Sequence, residues 1–132
     1  MEVARLSELE PFVTKDGSTI RELAGPAWTA VRNQSLAEAS VPTGGETDEH
    51  YHVAAEELYY FVAGAGRMRL GEEEQHVAAG DCVVIPPGVR HKLRNPSDEP
   101  LEFVSTNVPG SSLNGSPQTA RSRARSVRDR CA

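Results

Sequence analysis

Four side chains of types that bind transition metals occur in two segments whose other regularly spaced positions are turn residues. The four are His50, His52, Glu57 and His91. The first segment runs Gly44, five residues, His50-Tyr51-His52, four residues, Glu57, six residues, Gly64. The second runs Gly80, five residues, Pro86-Pro87-Gly88, two residues, His91, three residues, Asn95. Three imidazoles and one carboxylate suit a divalent metal such as iron, manganese, nickel, copper or zinc.

The spacing of the histidines allows all three imidazoles to reach one cavity. His50 and His52 are two residues apart, and residues i and i+2 of a strand share a face. His91 lies in a later β-like run behind a rigid turn at residues 86–88. The two prolines of that turn fix φ and donate no backbone hydrogen bond, so they end a strand sharply.

The acidic candidate lies at the start of another β-like run. Glu57, Tyr59 and Phe61 would share one face of that strand. Glu56 is an alternative ligand, but the six-residue step to Gly64 favours Glu57. An octahedral ion held by four such ligands keeps two positions open, where substrate, water or dioxygen can bind. A structural zinc site fits less well, because such sites are closed, four-coordinate and often rich in thiolates.

The two segments resemble the two signature motifs of the cupin superfamily, from Gly44 to Asn95. The chain looks similar to small single-domain bacterial cupins and to the cupin part of mannose-6-phosphate isomerase-type proteins. The resemblance implies a jelly-roll barrel, or double-stranded β-helix. It also implies one divalent transition metal per chain, with all four candidate side chains as its ligands. Cupin sandwiches commonly pair through a sheet, so a homodimer is expected.

Length and composition are consistent with that fold. The chain has 132 residues, enough for one domain with one core. Its nine prolines and eleven glycines favour many short strands with tight corners. We therefore expect an all-β, single-domain jelly roll. Its predicted parts are an N-terminal lead-in over residues 1–16, a cupin domain over 17–106 and a flexible basic tail over 107–132.

Several β-strands can be predicted individually. They cover residues 17–23, 28–31, 36–41, 75–77, 81–85, 89–93 and 101–104. Residues 57–70 have the pattern of a hairpin, with two β-rich arms around the loop Gly64-Ala65-Gly66. Arg67 and Arg69 share the face opposite Met68, and we expect them to pair with nearby acidic side chains.

Charge, hydropathy and cysteine content limit the partners and the location. Residues 1–104 hold 9 basic and 18 acidic side chains, whereas residues 105–132 hold five arginines and one aspartate. The acidic body disfavours nucleic acid as a partner. There is no apolar run of about 20 residues for a membrane span, and no signal peptide is expected, so the predicted location is the cytoplasm. Cys82, in an apolar run, is predicted to be a buried free thiol.

The pocket and the reaction can be predicted only in outline. Tyr59, Phe61, Met68 and Leu93 are candidates to line the pocket, and Trp28 or Gln34 could approach from the opposite sheet. The first hypothesis is an oxygen-using, dioxygenase-like oxidoreductase that acts on a small organic molecule. The second is a non-redox isomerase, cyclase or lyase, and the third is a small-molecule binder without turnover. No catalytic residue beyond the metal ligands and no organic cofactor is predicted.

Overall fold

A computed structural model describes residues 1–108 as nine β-strands preceded by one short 3₁₀ helix at Leu6–Glu8. The strands, in chain order, are β1 Phe12–Val13, β2 Thr19–Ala24, β3 Ser35–Val41, β4 Glu56–Ala63, β5 Ala65–Leu70, β6 Glu73–Ala78, β7 Cys82–Ile85, β8 His91–Arg94 and β9 Leu101–Val108. The expected basic tail lies outside the described residues, apart from residues 107 and 108.

The strands form two antiparallel sheets, which confirms the predicted jelly roll. The larger sheet has the order β1-β2-β3-β9-β4-β7, and the smaller one has the order β6-β5-β8. Burial alternates along the central strands, with inward residues at every second position of β3, β4 and β9. This is the pattern expected of sheets that bury one face against each other.

The core lies between the two inner faces. Its largest fully buried apolar side chains are Phe61, Ile85, Leu93 and Leu101. Phe103 on β9 contacts two rings of the neighbouring strand β4, with its ring centroid 5.6 Å from that of Phe61 and 4.6 Å from that of Tyr59. Burial of this apolar surface is the main contribution to the stability of the fold.

The predicted hairpin over residues 57–70 is wrong, although both of its strands exist. β4 pairs with β7 and β9, whereas β5 pairs with β6 and β8. Gly64, with φ of 82°, is the corner at which the chain leaves one sheet for the other. A Cβ at Gly64 would lie 2.4 Å from the carbonyl oxygen of Pro100. The local sequence pattern predicts the two strands and the corner between them, but it does not predict which strands pair.

Two further predictions differ from the structure. Residues 28–31 form a turn and a bend instead of a strand, and Trp28 is exposed. Cys82 is a free cysteine but is exposed, since it points outward from β7, the edge strand of the larger sheet. The apolar run predicted a buried thiol, but β7 buries Ile85 and exposes Cys82 and Val84. Residues 1–108 contain no helix with the length and apolar character that crossing a membrane demands.

The outer faces of the two sheets differ in chemistry. The larger sheet exposes Leu58, Tyr60, Val62, Val84 and Val108 on the adjacent strands β7, β4 and β9. The smaller sheet exposes ion pairs instead. Arg67 and Arg94 approach Glu74, and Arg69 approaches Glu49 and Glu72, as the sequence indicated for Arg67 and Arg69.

Candidate metal centre

The three candidate histidines come together at one end of the space between the sheets. His50 forms an isolated β-bridge with His91, with His50 N donating to His91 O at 3.1 Å and His91 N donating to His50 O at 2.8 Å. His52 is held by its own carbonyl oxygen, which accepts from Gly88 N at 2.7 Å. The turn at residues 86–88 therefore anchors both histidine segments. The sequence predicted a strand at His50 and His52, but the structure has only the isolated β-bridge at His50.

The imidazole nitrogens lie close enough to share an ion. One ring nitrogen from each of His50, His52 and His91 falls within a group whose atoms all lie within 4.8 Å of one another. Glu57 projects from β4 toward them, with Oε2 3.5 Å from His52 Nε2 and Oε1 3.6 Å from His91 Nε2. All four side chains are buried. Glu56, the alternative carboxylate, is exposed on the other face of β4.

Two atoms of this group have an unusual environment. Among the described residues, Glu57 Oε1 and His91 Nε2 are buried polar atoms without a hydrogen-bond partner. Burial of an unsatisfied polar atom costs about 1–3 kcal/mol, so native proteins retain such atoms rarely and usually for a reason. A cation bound between them would satisfy both atoms. The donor set, three imidazoles and one carboxylate, fits a divalent transition metal.

Backbone carbonyls set the orientation of two of the imidazoles. His50 Nδ1 lies 2.8 Å from Asp48 O, and His91 Nδ1 lies 3.2 Å from Val89 O. A carbonyl can only accept, so each Nδ1 carries a proton, and in the neutral ring Nε2 then has a lone pair available for a metal ion. Such contacts fix the tautomer of a metal-binding histidine. The sequence could not reveal them, because any residue has a backbone carbonyl.

The carboxylate is oriented by a residue that the sequence analysis missed. Asn107 Nδ2 donates to Glu57 Oε2 at 3.2 Å from the adjacent strand β9, where Asn107 pairs with Glu57. β9 runs four residues beyond the predicted end of its strand at residue 104. An asparagine at the start of the apparent tail carried no recognisable signal, and only strand pairing brings it to the site.

The electrostatics of the centre favour a neutral imidazole beside an ionised carboxylate. Burial opposes ionisation of Glu57, but the imidazoles of His52 and His91 outweigh it and hold the pKa of this carboxyl well below its usual range. Burial, together with the neighbouring His91, lowers the pKa of His50. Neutral His50 and anionic Glu57 are the forms that bind a metal ion.

A second carboxylate, Asp16, lies beside the candidate ligands. It occupies the turn between β1 and β2, and its Oδ2 lies 3.8 Å from His50 Nε2. Asp16 is only 7% exposed. Asp16 is the last residue of the lead-in predicted over residues 1–16, and nothing in the local sequence signals a partner 34 residues away.

Asp16 is one of the residues that line a cavity in front of the centre. The lining residues are Thr14, Asp16, Ser18, Ile20, Ala39, His50, His52, Glu57, Tyr59, Phe103 and Ser105. Of the predicted lining residues, Tyr59 is in this set, whereas Phe61, Met68 and Leu93 belong to the core cluster. Trp28 and Gln34 are exposed instead. Residues around the turn between β1 and β2, Thr14, Asp16 and Ser18, line the cavity instead.

Several known proteins are similar to this chain in sequence. Residues 37–107 match the family model Cupin_2, a cupin domain. The uncharacterized protein MJ1618 of Methanocaldococcus jannaschii is 43% identical over 102 residues, which cover 77% of this chain and 82% of the relative. The polyketide synthase CurC of Streptomyces cyaneus is 31% identical over 102 residues, 77% of this chain and 66% of CurC.

A solved structure gives the same result for the fold. The crystal structure of a predicted oxalate decarboxylase from Thermotoga maritima superposes with a TM-score of 0.73 and 23% sequence identity. The match covers 82% of this chain and 99% of that one. At this identity the similarity establishes a common fold and leaves the reaction open.

Proposed function

The chain belongs to the cupin family, and we propose that it is a mononuclear metal-dependent enzyme acting on a small organic molecule. The proposed ligands of one divalent transition metal are His50, His52, Glu57 and His91. The first candidate activity is that of an oxygen-using, dioxygenase-like oxidoreductase. Its metal would be iron, manganese, nickel, copper or zinc, and the cytoplasm stays the predicted location.

The observation that supports a metal site best is the pair of unsatisfied atoms. Glu57 Oε1 and His91 Nε2 face each other at 3.6 Å, too far for a strong hydrogen bond. A protein that needed only stability would replace such a pair by apolar side chains at little cost. Retention of the pair is understandable if a cation bridges it.

The metal, when bound, would supply Lewis-acid or redox activation at positions that the four side chains leave open. The chain's own residues have defined tasks around it. Asp48 O and Val89 O hold two imidazoles in the required tautomer. Asn107 orients Glu57, and Ile20, Tyr59 and Phe103 present apolar walls to the cavity.

A non-redox reaction is the second candidate, and Asp16 favours it. A carboxylate next to the open side can accept a proton from a substrate hydroxyl or from carbon next to a carbonyl, as an isomerase, cyclase or lyase requires. The relationship to a polyketide synthase protein is compatible with such chemistry. Asp16 gives the pocket a titratable group besides the proposed ligands, which a reaction carried by metal and dioxygen alone does not require.

Metal analysis of untagged protein, followed by an oxygen-uptake screen, tests the proposal. We expect one equivalent of metal in the wild type and loss of that equivalent in His52→Ala. His76→Ala is the matched control, because His76 is exposed on β6. Equal metal content in the His52→Ala variant and the wild type would disprove the ligand assignment. Native iron or copper supports oxygen chemistry, whereas zinc supports the non-redox candidate.

We further propose that the protein is a homodimer that pairs through the outer face of the larger sheet. The exposed apolar side chains there, Leu58, Tyr60, Val62 and Val84, are contiguous on β4 and the edge strand β7. In a twofold dimer, a surface patch of one subunit packs against the same patch of the other. An exposed apolar patch would therefore become buried. Sedimentation should give about twice 14.3 kDa for the wild type and 14.3 kDa for a Leu58→Arg/Val84→Arg variant. A monomeric wild type would exclude the dimer.

A further inference from the structure

We propose that Asp16 makes the site selective for uncharged, hydroxyl-bearing substrates, such as phenols and enols, over carboxylates of similar size. This inference rests on the proposed metal centre and names the substrate class of that same site. Asp16 would accept a hydrogen bond from the substrate hydroxyl with Oδ2. It would also repel an anionic group that approaches the metal.

The local structure holds Asp16 firmly in this position. Its Oδ1 accepts from Ser18 N at 3.1 Å and from Ser18 Oγ at 2.7 Å, and Thr14 Oγ1 donates to the same oxygen. The backbone of the turn is tied to the loop that carries His50, since Asp48 N donates to Asp16 O at 2.8 Å. One oxygen is therefore committed to the turn, and the other faces the cavity.

The second oxygen, Oδ2, can still accept a hydrogen bond, so we expect a donor group of the substrate to bind there. Oδ2 lies 3.8 Å from His50 Nε2, which is beyond hydrogen-bonding distance. That nitrogen carries no proton either, because Asp48 O takes the proton of His50 on Nδ1. A substrate hydroxyl could satisfy Oδ2, whereas a substrate carboxylate could offer it nothing.

The charge of the site leads to the same conclusion. A divalent ion held by neutral imidazoles and by Glu57 keeps one positive charge, which would attract an anion. Asp16 neutralises that charge. The described residues that line the cavity include no lysine and no arginine to pair with a substrate carboxylate or phosphate. Like-charge contacts of this kind are how binding sites reject a competitor.

The walls indicate what the rest of the substrate is like. Ile20, Ala39, Tyr59 and Phe103 present apolar surface beside the hydroxyls of Ser18 and Ser105. This combination suits a substrate with an apolar body that carries hydroxyl groups. A small dianion such as oxalate would gain little from these walls.

Binding of two matched probes to the zinc-loaded protein tests the inference without turnover. Phenol and benzoate share one ring and differ in charge, and calorimetry or ligand-detected magnetic resonance gives their affinities. The wild type should bind phenol more tightly than benzoate. Asp16→Asn should shift the ratio of the two affinities toward benzoate by about tenfold, the effect of removing one charge at close range. Asp98→Asn is the control, because it removes an exposed charge.

The outcomes separate this inference from the proposed metal centre. If the wild type fails to hold one equivalent of zinc, the metal centre itself is wrong. If zinc is held but the wild type binds benzoate at least as tightly as phenol, or binds neither probe, the inference is overturned. An unchanged affinity ratio in a folded, zinc-loaded Asp16→Asn variant also overturns it. Should that variant not fold, the wild-type ratio decides alone.

Discussion

Two groups of side chains are buried to a similar depth in this protein, but they differ in how their atoms are satisfied. In the apolar core, around Phe61 and Leu101, the buried side chains are stabilised by packing against one another. In the polar centre, His91 is only 1% exposed, yet its Nε2 has no hydrogen-bond partner among residues 1–108. The core stabilises the fold, whereas the centre keeps atoms in an environment that favours a ligand.

The strongest test of this comparison is removal of a core side chain. Phe61→Ala should lower the free energy of unfolding by about 3–5 kcal/mol, because it removes a fully buried ring and leaves a cavity. Urea denaturation of the metal-free protein measures the change. Glu102→Ala, an exposed position on β9, should change it by less than about 0.5 kcal/mol. A loss below about 1 kcal/mol at Phe61 would mean that the core is packed differently.

The corner between the sheets should come next in size. Gly64→Ala should cost about 2–4 kcal/mol, since the new Cβ meets the carbonyl oxygen of Pro100 and the backbone has a positive φ. Gly80→Ala separates the two effects, because Gly80 also has a positive φ, but no atom of the described part of the chain lies within 4 Å of a new Cβ there. It should cost only about 1–2 kcal/mol. Equal costs at the two glycines would contradict the close contact at Gly64.

A change in the polar centre should affect the metal more than the fold. Glu57→Gln should abolish stoichiometric metal while lowering the stability of the metal-free protein by only about 1–2 kcal/mol, from loss of the charged acceptor of Asn107. Glu56→Gln, its exposed neighbour, should change neither quantity. A large loss of stability with metal retained would reverse the roles assigned to the core and the centre.

The difference in stability between the wild type and Glu57→Gln should depend on pH. The pKa of Glu57 is lower in the folded chain than the ordinary value of 4.5, so the folded state binds fewer protons than the unfolded state in acid. The contribution of Glu57 to stability is therefore present above pH 4.5 and is lost as the pH falls further. The gap in stability between wild type and Glu57→Gln should narrow below that pH. A difference in stability that widens as the pH falls would contradict this prediction.

The smallest effect is expected at a partly exposed ion pair on the larger sheet. Arg21 Nη2 lies 2.8 Å from Glu38 Oε1 across β2 and β3, with both side chains partly open to solvent. Arg21→Ala should cost less than about 1 kcal/mol, and added salt should reduce the difference. A larger loss that is insensitive to salt would show that the arginine stem contributes through packing.

Prediction from the sequence succeeded where the pattern is local and periodic. The alternation in β4 correctly placed Glu57, Tyr59 and Phe61 on the inner face, and the Pro-Pro-Gly turn marked the entry to His91. It failed where the outcome depends on which strands meet. Residues 57–70 looked like a hairpin because nothing near Gly64 tells a tight reversal from a crossing between sheets. Cys82 looked buried because an apolar run does not show which of its faces another sheet covers.

The amino-acid order alone determined the types of the candidate ligands, their spacing and the turns around them, since these depend on residues a few positions apart. Only the tertiary structure decided that Asp16 and Asn107 join the site, and that Asp48 O and Val89 O orient its imidazoles. The physical reason is distance along the chain. Contacts between residues many positions apart form when strands pair and sheets pack, and the energy that selects one pairing is summed over the whole core.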